Sequence, residues 1–135
     1  MNRKLFVAVV LMAVALVVNV SAQNKARADV PFDFIVGDKA LPAGTYDISE
    51  VNAHAIAILA HHAAGGAMVQ FQPANGKQHM QAKLVFHKYG DRYFLYQVWD
   101  ADSVGIQVRE SKLEKEQALA DNQASAPQEA VVALR

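Results

Sequence analysis

The chain contains no cysteine. That excludes disulfides, thiolate metal sites and a cysteine nucleophile, and it excludes a lipid anchor of the type carried on an N-terminal cysteine. Small exported domains often depend on disulfides, so a domain of this kind must be held by packing alone. Charge is also scarce. Only 19% of residues are Asp, Glu, Lys or Arg, and 13 basic residues balance 13 acidic ones. No basic patch of the kind that recognises nucleic acid is present, so no nucleic-acid partner is expected. No apolar run reaches the ~20 residues that a membrane-spanning helix requires. The longest, Leu5 to Val18, has 14.

That run is informative by its position. Arg3 and Lys4 precede it, and Val20-Ser21-Ala22 follows with small residues at −3 and −1. A positive segment, an apolar segment and a small-residue cleavage site, in this order, make a secretory signal peptide. Cleavage is expected after Ala22, with Ala26-Arg27-Ala28 as a second possible site. The expected organisation is a signal peptide over 1–22, a polar leader over 23–29, a β-domain over 30–121 and a mobile tail over 122–135. Removing residues 1–22 leaves 113 residues, with 11 basic against 13 acidic, a net charge of −2. That is enough for one domain with a modest core. The expected location is periplasmic or extracellular, with no membrane span after cleavage.

Apolar periodicity in the remainder is that of strands. In "VPFDFIV", Phe32, Phe34 and Val36 fall on one side. "GDKALPAG" reads as a turn. "TYDISEV" and "HAIAILA" read as two more strands, with "HHAAGG" ending the second. Asn75-Gly76 lies between alternating runs and is a strong hairpin signal, because a type I′ turn needs positive φ at both central residues. On that register Phe71 faces Met80 and Val69 faces Ala82. Gly90-Asp91 sits between "LVFHKY" and "RYFLYQVW" and fits a type II′ turn. Tyr89 then faces Arg92, His87 faces Phe94, Phe86 faces Leu95 and Ala82 faces Trp99. Both registers place Val69, Phe71, Met80, Ala82, Leu84, Phe86, Leu95 and Trp99 on one face, which is therefore the expected core. "VGIQV" is a further strand. Ser111 and Glu114 in "SKLE" form a capping box, opening a helix over Lys112 to Asp121. The expected fold is mainly β, an antiparallel sandwich or small barrel of about seven strands with one short C-terminal helix.

"VPFDFIVGDKALPAGTYDI" and "KLVFHKYGDRYFLYQVW" together resemble a family of small exported bacterial proteins of unknown function. The shared features are the signal peptide, "PFDF-V-G", "LPAG-Y" and "LVFHKYGDRYFL-QVW", and they cover residues 30–119. The resemblance implies a bacterial, extracytoplasmic β-domain and transfers no active-site residue. "LPAGTY" is also similar to the strand entry of prealbumin-like secreted β-sandwich modules, which implies a sandwich.

Chemistry-bearing residues are few. Five His invite a metal reading, but His79 and His87 are eight residues apart on one strand face, about 26 Å at ~3.3 Å per residue. His54, His61 and His62 converge only if their turn folds back. "DADSVG" copies the start of a calcium loop with Asp100, Asp102 and Gly105, yet Val104 and Ser111 stand where oxygen ligands belong. No G-x-S-x-G nucleophile elbow is present, and no carboxylate pair stands out. Neither metal nor cofactor is expected, and the chain reads as non-enzymatic, an uncharacterised hydrolase being the alternative. The unusual feature is the face opposite the expected core. Val85, His87, Tyr89, Phe94, Tyr96 and Val98 lie there as an apolar-aromatic patch, with Arg92 at its rim. Three uses are open: cover by the C-terminal helix through Leu113 and Leu119, a protein partner or self-association, or the lining of a closed β-barrel that carries a small ligand. An exported binding or structural module is the leading expectation, and such a carrier is the alternative.

Overall fold

A computed structural model of the chain describes residues 26–74, 81–100, 105–120 and 127–135. The expected signal peptide and the Asn75-Gly76 turn lie outside these residues, as does most of the Asp100–Gly105 loop. Among the described residues, ten strands and one helix occur in the order β1 (Ala26–Val30), β2 (Phe34–Val36), β3 (Lys39–Leu41), β4 (Gly44–Asn52), β5 (Ala55–Ala60), β6 (Gly66–Pro73), β7 (Lys83–Tyr89), β8 (Arg92–Trp99), β9 (Ile106–Val108), α1 (Lys112–Ala120) and β10 (Gln128–Ala133). Among the described residues no helix is long and apolar enough to cross a membrane.

The fold is mainly β and sandwich-like. β1, β4, β5 and the first half of β6 make one antiparallel layer. β6 then leaves β5. Phe71, Gln72 and Pro73 pair instead with Val108, Gln107 and Ile106 of β9 in the second layer. That layer continues through β8 to β7 and β10, and β8 also meets the β2–β3 hairpin through a parallel bridge, Ile35 to Phe94. The outer strands β1 and β10 are tied by one bridge, Ala28 to Leu134, and by two main-chain hydrogen bonds between Arg27 and Arg135. A single bridge is not a ladder, so the sheet does not close into a barrel.

Alternation supplies the core. Tyr46, Ile48, Ile56 and Ile58 from the first layer pack with Phe34 and Phe86 from the second in one buried cluster. The Phe34 ring meets Tyr46 and Phe86 edge-on, at 5.1 and 5.6 Å between centroids, the arrangement that aromatic quadrupoles favour. This interior is filled by side chains.

Several expectations change. The leader over 23–29 is in part a strand, because Ala28 is wholly buried and pairs with Tyr46. The strand expected over Val30–Val36 breaks at Pro31–Asp33, where the Asp33 carboxylate accepts the Ala43 N–H at 2.9 Å. The "GDKALPAG" turn contains β3. Val69 faces Ile56 and Phe71 faces Val108, so β6 does not pair with β7. The tail expected to be mobile forms β10, which pairs with β7 along six residues, Ala130 facing Phe86 and Val132 facing Leu84.

The β7–β8 hairpin forms around Gly90, whose φ of 58° suits a type II′ turn. Tyr89 faces Arg92, His87 faces Phe94 and Phe86 faces Leu95. A β-bulge then shifts the register. Gln97 faces Val85, Val98 faces Leu84, and Lys83 rather than Ala82 faces Trp99. One extra residue in a strand flips every side chain beyond it. Val98 therefore turns into the main core, and Trp99 joins Val85 and Ala74 in a second buried cluster on the opposite face.

Candidate functional site

The face carrying Val85, His87, Tyr89, Phe94 and Tyr96 is where the chemistry collects. It is not an open patch. Val85, Tyr89 and Phe94 are buried, Val98 has turned to the core, and only Arg92 is exposed. α1 lies across the hairpin, but not through the leucines expected to hold it. Leu113 is 36% and Leu119 78% exposed. At 100° per residue these two positions point about 120° apart and cannot share a face. The side of α1 turned to the sheet carries Glu114, Gln117 and Ala118, at the i, i+3, i+4 spacing of one helix face.

Ser111 caps the helix as its sequence predicts: the Glu114 N–H donates to Ser111 Oγ at 3.2 Å. The Glu114 side chain, however, does not turn back to complete a capping box. It goes down onto the sheet. His87 Nδ1 lies 2.7 Å from Glu114 Oε1, and the Tyr89 hydroxyl donates to the same oxygen at 3.3 Å. Arg92 donates to Gln117 at 3.1 Å at the outer edge. Glu114 is only 4% exposed. A carboxylate taken from water costs several kcal/mol unless it is hydrogen-bonded, and here a histidine and a tyrosine supply the bonds. A carboxylate can only accept, so the proton of the His87–Glu114 bond sits on Nδ1. Nε2 is left as the ring's other polar atom.

Around this group is a half-open cleft of about 400 Å³, lined by His87, Tyr89, Tyr96, Gln107, Glu110 and Glu114, with Val108, Ala118 and Pro127 as its apolar part. The His87 and Tyr96 rings stack at 3.8 Å and 25°, and the Tyr89 ring stands at 89° to His87 at 6.4 Å. Tyr89 is in turn held edge-on by Phe94. A chain of amides fixes one wall. Trp99 Nε1–H donates to Gln97 Oε1 at 3.0 Å, and Gln97 donates to Gln107 at 3.4 Å. The bulge makes this possible, because it places Tyr96 and Gln97 beside one another toward the cleft.

No protein-family model, curated protein or solved structure matches the chain. The geometry of this cleft therefore carries the functional reading by itself.

Three of the seven patch residues, His87, Tyr89 and Tyr96, line the cleft; Val85 and Phe94 pack beneath it. Glu114 and Glu110 were missed as site residues. The sequence places Glu114 in a capping box, and nothing local distinguishes a capping glutamate from one that reaches across to a sheet. Of the other histidines, His79 lies outside the described residues and the rest serve elsewhere. His61 Nδ1 lies 2.8 Å from Asp47, whose other oxygen accepts from Arg27 at 2.9 Å, and the His61 and His62 rings are 3.8 Å apart. His54 donates its N–H to Asn52 in the β4–β5 turn. Among the described residues no group of three or more His, Asp or Glu is arranged to hold a metal ion.

Proposed function

We infer that the protein is an exported, non-enzymatic binding module whose ligand seat is the cleft beneath α1. The observation that carries this reading is the cleft itself. It is a pocket at the low end of small-molecule sites, which run about 300–1,000 Å³, and it pairs aromatic walls with a few convergent polar groups. The cover by α1 leaves little of the aromatic face for a protein partner. Export rests on the N-terminal pattern of Arg3-Lys4, Leu5–Val18 and Val20-Ser21-Ala22 and on the resemblance to small exported bacterial proteins.

The test is native mass spectrometry on the chain from the exported fraction of its own host, with N-terminal sequencing. The expected result is an N-terminus at Gln23 and a small-molecule adduct on the monomer, lost in Ala118→Trp, which fills the cleft. A bare monomer that also takes up no member of a small-fragment library would overturn the binding reading. An intact N-terminus in the cytoplasmic fraction would overturn export.

A further inference from the structure

We propose that the cleft beneath α1 selects a small organic cation, an amine or quaternary ammonium group, held by Glu110 and Glu114 against the rings of Tyr89, Tyr96 and His87. This rests on the binding reading above and names the chemistry of its ligand.

The first support is charge. The described lining contains two carboxylates, one imidazole and no Lys or Arg. Its net charge is negative whether His87 is protonated or not. The chain as a whole is balanced, with 13 basic and 13 acidic residues, so this local excess is not a reflection of composition. An anion entering the cleft would meet two carboxylates against a single imidazole.

The second support is the state of Glu114. Its carboxylate is almost wholly buried, yet both of its described hydrogen bonds go to Oε1. Among the described residues no buried side-chain oxygen lacks both a partner and solvent contact. Oε2 therefore keeps access to the cleft that Glu114 lines. A buried carboxylate with one oxygen fixed by His87 and Tyr89, and the other open to a cavity, is a preorganised acceptor for a cationic donor. It pays none of the reorganisation that a flexible surface glutamate would.

The third support is the shape of the walls. The His87/Tyr96 stack and the perpendicular Tyr89 ring form a corner. A cation within about 6 Å of a ring centroid is attracted by the ring quadrupole, and aromatic corners of this type are how alkylammonium groups are recognised. A neutral ligand of the same shape would gain the apolar contact but neither the quadrupole nor the carboxylate term.

The experiment compares three isosteric probes by ¹H–¹⁵N NMR titration of the chain from Gln23: choline, its neutral isostere 3,3-dimethyl-1-butanol, and the anion 3,3-dimethylbutanoate. The expected result is that choline perturbs His87, Tyr89, Tyr96 and Glu114 and binds at least tenfold tighter than the alcohol, with the anion weakest. Glu110 is exposed, so Glu110→Gln keeps the fold; it weakens choline severalfold and leaves the alcohol unchanged. Glu114→Gln narrows the difference between choline and the alcohol severalfold. Binding of the alcohol or the anion at these residues as tightly as choline overturns the cation assignment while leaving a ligand seat in place. No perturbation of these residues by any of the three, together with a bare monomer in the mass spectrum, removes the seat as well.

Discussion

Glu114 is a carboxylate taken out of water by a helix that gains little from apolar burial. Its replacement shows how much of the helix's docking it supports. Glu114→Ala leaves the His87 ring and the Tyr89 hydroxyl without their acceptor, and leaving buried polar groups unmet costs about 1–3 kcal/mol. The expected outcome in urea unfolding is a loss of about 2 kcal/mol, while Glu114→Gln, which keeps an acceptor oxygen, loses less. Equal losses would mean that the carboxylate's charge, not its geometry, fixes α1. A second residue-scale constraint is Gly105. A Cβ there would lie 2.3 to 2.6 Å from the Trp99 ring. That ring is buried against Val85 and Ala74 and cannot yield. Gly105→Ala is expected to cost about 1–3 kcal/mol, as overpacking does, and to shift the emission of the chain's single tryptophan.

At the scale of elements, the β7–β8 hairpin shows what was legible and what was not. The Gly90-Asp91 turn and its first four cross-strand pairs follow from turn chemistry and alternation. The bulge does not, because alternation continues through "FLYQVW" with no residue marking where one position is skipped. Every side-chain assignment beyond it, Val98 and Trp99 above all, was therefore inverted. Likewise the alternation that promised a hairpin across Asn75-Gly76 is real, but β6 satisfies it with β5 and β9. Local pattern names a strand and not its partner. β10 is the clearest omission. "QEAVVA" is short, follows Pro127 and begins with two polar residues, yet Ala130 and Val132 pack on the core. The strand covers the outer edge of β7, and an uncovered edge is a template for association. Deleting residues 127–135 is expected to lower Tm by several degrees and to produce dimers or larger species by size-exclusion chromatography with light scattering. A monomer of unchanged Tm would show that β10 contributes no more than a loosely held flap.

At the scale of the whole molecule, the layers are joined without any covalent link, and the junction between β1, β4 and the last residues is polar. Asp29 accepts from Thr45 at 2.7 Å and pairs with Arg135, and Asp47 binds Arg27 and His61. The Thr45 hydrogen bond, aided by the Arg135 charge, holds the Asp29 carboxyl below its ordinary value of 3.8. The Arg27 hydrogen bond, then that of His61, does the same for Asp47. Between the lowered folded values and 3.8 the unfolded chain binds more protons than the folded one, so stability rises with pH across that window. The contribution is fully present above about pH 4 and is lost as pH falls below it. Asp29 is exposed and Asp47 only partly buried, so the effect is modest and screened by salt. Acid titration of thermal stability is therefore expected to show a fall below pH 4 that is shallower in the double variant Asp29→Asn, Asp47→Asn, with parent and variant converging near pH 2. The same difference should shrink in 1 M salt, where the Debye length is about 3 Å. An identical acid limb in parent and variant would mean that the junction is held by its two main-chain bonds between Arg27 and Arg135, and that the carboxylates only decorate it. Those bonds do not titrate, so the slope of one curve separates a polar clasp from a β-sheet seam.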